Sequence, residues 1–142
     1  MQEENKQAAL KFLNVRMRSE FEMRRYLKRK QVEEDEIDEI VEYLYHYNYL
    51  NDEEFAKSYI RDKLNFSPCG RYKLSYALAE MGINSFVAED ALEELFPEEV
   101  EREQLKRAFA KCKRKGKTYE QAVRYLYGKG YGGSMLSDLE RY

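Results

Sequence analysis

The stretch Tyr49-Leu50-Asn51-Asp52-Glu53-Glu54-Phe55-Ala56-Lys57-Ser58-Tyr59-Ile60-Arg61-Asp62-Lys63-Leu64 decides how the rest of the chain is read. Asn51 is a good helix N-cap, and Glu54, three residues on, stands where a capping box closes. Leu50 and Phe55 occupy the two positions of a hydrophobic staple. Beyond the cap, Phe55, Tyr59, Ile60, Lys63 and Leu64 recur at three- and four-residue steps, leaving Asp52, Glu53, Lys57 and Arg61 for water. A helix is therefore expected to start next to Asn51.

Working outward, the same grammar repeats. Upstream, Ala8, Ala9, Leu10, Phe12 and Leu13 predict a first helix over 5–15. Ser19 and Glu22 form a second capping box ahead of the pair Met23 and Leu27. Glu33 to Glu36 give a third helix an acidic first turn before the stripe Ile37, Ile40, Val41 and Leu44. The aromatic run Tyr43-Leu44-Tyr45-His46-Tyr47-Asn48-Tyr49 alternates like a short strand, but the stripe entering it from Ile37 and the cap at Asn51 favour a helix end. Its rings are expected to seal a joint between units.

Downstream, Ser67-Pro68 offers an N-cap with proline at the first helical position, ahead of Leu74 and Leu78. Gly82 reads as a helix-ending glycine, and Asn84 or Ser85 starts a helix through Val87, Ala91, Leu92 and Leu95. After Pro97 come Val100, Leu105 and Phe109 as packing positions, then a capping box of Thr118 and Gln121 ahead of Ala122 and Leu126, with Gly130 answering Gly82. Leu27, Leu78 and Leu126 are equivalent, 51 and 48 residues apart. The expected fold class is all-α: three tandem three-helix modules (1–48, 49–96 and 97–142) stacked into an elongated, curved helical repeat, because three short helices cannot hide their own apolar faces.

Composition narrows function. No apolar run of 18 residues exists, so no membrane span is expected, and the charged N-terminus does not resemble a signal peptide, which points to the cytosol. The two cysteines, Cys69 and Cys112, lack metal-ligand spacing and are expected to be reduced and structural. With one histidine, His46, neither a metal triad nor a two-histidine motif can be assembled. Carboxylates are abundant, but those of Glu33–Glu42 fall on the solvated side of an amphipathic helix. Gly128, Gly130, Gly132 and Gly133 lack the strand, lysine and hydroxyl of a phosphate loop, so they read as turn glycines. Neither an enzyme nor a cofactor is expected.

Charge is more informative, because its net value of −2 hides segregation. Residues 1–30 hold nine Lys/Arg against four Asp/Glu, residues 31–60 hold one against ten, and residues 97–142 hold eleven against seven. One basic cluster comprises Arg24, Arg25, Lys28, Arg29 and Lys30; a second comprises Lys106, Arg107, Lys111, Lys113, Arg114, Lys115 and Lys117. Both are of the kind that neutralises phosphates or meets an acidic protein surface, with Tyr26, Tyr119 and Tyr125 near enough to offer stacking faces. The acidic block between them speaks against wrapping free duplex DNA. It suits a partner presenting both signs, such as a protein filament carrying DNA.

The segment Tyr49 to Ala56 resembles the linker between the first two modules of the RecX family. The resemblance extends upstream to Ser19-Glu20-Phe21-Glu22-Met23-Arg24-Arg25 with Leu27. Downstream it takes in Gly70-Arg71-Tyr72-Lys73-Leu74, Leu78 and Met81-Gly82-Ile83, and in outline Tyr125 to Tyr131. It implies tandem three-helix modules and a monomeric, non-catalytic regulator of the RecA recombinase. Such a protein binds in the groove of the RecA–single-stranded-DNA filament, contacts DNA weakly if at all, and restrains ATP hydrolysis, strand exchange and coprotease activity. On this reading Arg71 and Lys73 join the two basic clusters as residues facing RecA or DNA. A helical nucleic-acid-binding module that acts without RecA is the other reading the residues allow.

Overall fold

A computed structural model describes residues 1–139, and the end of the expected third module, residues 140–142, lies outside them. Among the described residues there are nine helices and no strand: α1 (Glu3–Val15), α2 (Glu20–Arg29), α3 (Glu34–His46), α4 (Asp52–Phe66), α5 (Arg71–Glu80), α6 (Ser85–Leu95), α7 (Glu98–Arg114), α8 (Tyr119–Gly128) and α9 (Gly133–Ser137). Side chains close three separate cores in chain order. The first gathers Met23, Leu27, Ile37, Ile40 and Leu44; the second Phe55, Ile60, Leu74, Leu78 and Leu92; the third Leu105, Ala122, Leu126 and Met135. The equivalent leucines Leu27, Leu78 and Leu126 are at most 1% exposed. The accessible surface, 9279 Å², exceeds the roughly 7,800 Å² expected of a globular monomer of 17.1 kDa, as tandem units with separate cores require.

The capping boxes of Ser19–Glu22 and Thr118–Gln121 both form. At α4 only half of the expected box is present: Asn51 Oδ1 accepts from the Glu54 N–H at 3.1 Å. No staple clamps it either, because Leu50 is packed in the first core and Phe55 in the second. The physical reason is that this turn bridges two cores, so each apolar residue serves its own side. Asn51→Ala should accordingly cost about 1 kcal/mol and Phe55→Ala about 3 to 5, a contrast that denaturant unfolding resolves.

Other expectations are corrected. Ser67 ends α4 instead of capping α5, whose N-cap is Gly70, so Pro68 lies in the link between them. Val100 is 41% exposed, on the outer face of α7. The aromatic run does end a helix, but Tyr47 and Tyr49 are exposed and do not seal a joint; Tyr45 stays beside the first joint, its hydroxyl donating to Glu20 Oε1 at 2.8 Å, and Tyr43 packs on the first core with its ring tilted against Tyr47 at 4.8 Å.

The joints are built the same way twice. At the first, the Ser19 hydroxyl donates to the Met81 carbonyl at 2.8 Å, Gly82 lies against Phe21, and the Glu20 N–H donates to Asp52 Oδ1 at 2.9 Å. At the second, the Gly70 N–H donates to the Lys129 carbonyl at 2.8 Å, Gly130 lies against Lys73, and the Arg71 N–H donates to Glu101 Oε2 at 2.8 Å. In each case the start of a unit's second helix sits on the turn that ends the next unit's second helix. A carboxylate from the next unit satisfies the helix's otherwise unpaired first N–H.

Asp52 was expected to face water and is instead half-buried in this joint. Burial, with the Glu20 and Glu22 charges nearby, pushes its carboxyl up, against the opposing effect of the Glu20 N–H. A raised folded-state value means that the group's contribution to stability is complete below the unfolded aspartate pKa and is lost as pH rises through the folded one. Asp52→Asn, which keeps the acceptor and removes the charge, should therefore raise Tm at pH 7. The gain should disappear as pH falls below about 3.9.

Candidate functional site

Where each cation of the sequence stands is decided by its nearest carboxylate. Arg24 lies 2.8 Å from both Glu20 and Asp38, because the three- and four-residue steps of α2 and the acidic face of α3 bring them together. Arg71 lies between Glu89 at 2.7 Å and Glu93 at 3.3 Å, and Lys106 pairs with Glu103 at 3.6 Å. Arg24 and Arg71 are thus held in ion pairs within the fold, whereas Lys106 keeps only a solvated pair on the outer face of α7. Arg25, Lys28, Arg29 and Lys30 remain exposed on and just after α2, with Arg25 over the Phe21 ring and Lys30 over the Tyr26 ring, each at 5.5 Å. Lys73 is exposed beside the second joint. Lys113 leans over Phe109.

The remaining five, Arg107, Lys111, Arg114, Lys115 and Lys117, converge. Together with Lys129 they rim a groove of about 730 Å³ between α7, α8 and the end of α4. Its floor is mostly apolar, with Leu64, Pro68, Ala108 and the buried Leu126, while Ser67, Gln104 and Tyr125 add polar atoms to the lining. The arrangement follows from the helices: Arg107, Lys111, Arg114 and Lys115 recur at helical steps along one face of α7, and the turn after it aims Lys117 back over the groove. No carboxylate lines the groove, and none of the six cations has an ion-pair partner within 4.0 Å among the described residues. Uncompensated charges of one sign lining a concave surface add up to a positive potential that attracts anions.

The walls are fixed from beneath. The Gln104 amide donates to the Cys69 carbonyl at 2.9 Å and to the Tyr131 hydroxyl at 2.6 Å, and Tyr131 is only 2% exposed. Cys69 and Cys112 are free and buried, and burial pushes the Cys69 thiol up, so its nucleophilic form is disfavoured. No group of three His, Cys, Asp or Glu side chains among the described residues could hold a metal ion.

The stacking faces expected from the tyrosines are mostly taken. Tyr26 is stacked flat on Phe12 at 4.0 Å, Tyr119 meets Phe109 edge-on at 6.0 Å, and the Lys117 ammonium stands 5.1 Å over the Tyr125 ring. Sequence reasoning missed Lys129 and the apolar floor. Lys129 carries no periodic signal; its only mark is its place before Gly130, which the joint pins in position. Leu64 and Pro68 enter the groove from the preceding unit, through tertiary packing alone.

The fold is a tandem helical repeat that carries an uncompensated basic groove. Sequence models of the first and second three-helix domains of RecX match residues 6–44 and 51–92, more than half of the chain, which belongs to the RecX family. "Regulatory protein RecX" of Clostridium perfringens strain 13 is 34% identical over 143 residues, covering 96% of this chain and 66% of the relative. That of Lactococcus lactis strain IL1403 is 29% identical over 121 residues, covering 84% of this chain and 44% of the relative. The chain thus spans about two-fifths to two-thirds of the length of these curated relatives. The crystal structure of RecX from Lactobacillus salivarius superimposes with a TM-score of 0.84 at 26% identity, over 94% of this chain and 90% of that one. A second RecX crystal structure, at 24% identity and a TM-score of 0.82, shares the fold. No helix of the described residues is long and apolar enough to cross a membrane.

Proposed function

We propose that this regulatory protein acts without catalysis, binding RecA filaments on single-stranded DNA in the cytoplasm as a monomer and restraining ATP hydrolysis, strand exchange and coprotease activity. The observation that carries the reading is the basic groove of the third unit, in a chain of the RecX family. Its free cations supply the electrostatic attraction that a nucleoprotein filament rewards, and the exposed Arg25, Lys28, Arg29 and Lys30 of the first unit, with Lys73 between, extend the basic surface. Arg24 and Arg71 are held in ion pairs within the fold and Lys106 in a solvated one, so on this proposal they contribute less to the contact than the free cations.

The test is RecA ATPase on single-stranded DNA with increasing amounts of the protein. Hydrolysis should fall in a saturable way and recover steeply with added salt; unchanged hydrolysis at substoichiometric and excess protein would refute the proposal. The uncompensated groove also favours a second reading, a nucleic-acid-binding module independent of RecA. It would reveal itself by equal affinity for bare and RecA-coated strands.

A further inference from the structure

The groove's chemistry names a narrower occupant than a polyanion in general. Six ammonium or guanidinium groups line the groove, and the surface between them is mostly apolar, with Leu64, Pro68 and Ala108 beside Ser67, Gln104 and the Tyr125 ring. A phosphodiester strand matches the rim and brings nothing aliphatic to the floor. Its bases seek flat ring faces, and of the two aromatic rings in the lining Tyr131 is buried with its hydroxyl bonded to Gln104, while the half-exposed Tyr125 already has Lys117 over its ring. Filling such a floor with water while anchoring charges above it forfeits the burial the cavity makes possible. A volume of about 730 Å³ falls within the range of built ligand sites, roughly 300–1,000 Å³, and accommodates a short peptide segment.

We infer that the α7–α8 groove binds an acidic polypeptide segment bearing a large apolar side chain, the carboxylates meeting the rim and the apolar group seating on the floor. This rests on the reading that the same face meets the regulated assembly, and it assigns that contact to protein instead of to the DNA backbone. Because Leu64 and Pro68 belong to the second unit and the cations to the third, an occupied groove also spans the joint between them.

The test uses the full chain and three fluorescein-labelled probes at 0.15 M salt: a ten-residue Asp/Glu peptide with one central Phe, the same peptide with Ser in that place, and a ten-nucleotide oligothymidylate. The Phe peptide should bind at least tenfold more tightly than either of the others. Lys111→Glu with Arg114→Glu should abolish binding of both peptides. Leu64→Ser should erase the advantage of Phe over Ser while leaving the Ser peptide unchanged, and circular dichroism checks that each variant remains folded. Equal binding of the two peptides, or tighter binding of the oligonucleotide, overturns the inference. Sedimentation of the wild-type chain with RecA filaments is scored in parallel. Failed peptide binding with intact co-sedimentation removes this inference and leaves the functional reading standing, and the reverse result removes only the functional reading.

Discussion

Replacing Gly82 by alanine should cost about 2 to 5 kcal/mol and lower Tm by on the order of 10 °C. Gly82 has φ +77°, where a side chain costs about 1–2 kcal/mol, and a Cβ there would overlap the Phe21 Cβ across the first joint. The overlap takes in Phe21's Cβ as well as its Cγ, so trimming the ring relieves only part of it. Phe21→Ala should recover a little of the loss in the Gly82→Ala variant, and Phe21→Gly more. Gly130, at φ +96°, repeats the situation against Lys73, where a Cβ would stand 2.5 Å from that residue's Cβ and 2.7 Å from its backbone nitrogen. If Gly82→Ala melts within a degree or two of wild type, the joints are not the tight backbone contacts described.

The second large effect is functional. Reversing Lys111, Arg114 and Lys115 to Glu places like charge where the partner expects its opposite, and binding to the RecA filament should weaken by roughly two orders of magnitude or more at 0.15 M salt. These side chains are exposed and make no ion pair among the described residues, so Tm should stay within about 2 °C of wild type. Wild-type binding should also fall more steeply with salt than binding of the variant, since the variant has fewer ionic contacts left to screen. Lys106→Glu serves as the internal comparison: it lies on the same helix but outside the groove, paired with Glu103, and should change binding little. Equal loss from Lys106→Glu would mean that only net charge matters.

Much of the fold was legible because capping and periodicity are local. Ser19, Asn51, Asn84 and Thr118 each cap a helix, and Leu27, Leu78 and Leu126 mark the repeat, since both signals depend on side chains within four residues of one another. The misreadings arose where two units meet. Asp52 looks like a solvated first-turn acid, and only the neighbouring α2 turns it into a cap for Glu20. Gly70 outcompetes Ser67-Pro68 as the start of α5 because the Gly130 turn packs against it, and no local pattern encodes that. At the candidate site the cations of α7 were visible as a stripe. Which cations of the chain are free was not, because the carboxylates that hold Arg24 and Arg71, Asp38 on α3 and Glu89 and Glu93 on α6, are brought near only by packing.

Binding of this RecX-family chain to the RecA filament itself, as proposed, is tested most directly by co-sedimentation with RecA assembled on single-stranded DNA, with the same DNA lacking RecA alongside. The chain should pellet saturably with the filament and little with bare DNA, and the Lys111, Arg114, Lys115 reversal should stay in solution. A chain that stays in the supernatant with filaments at low salt, or that pellets equally with bare DNA, contradicts the proposal.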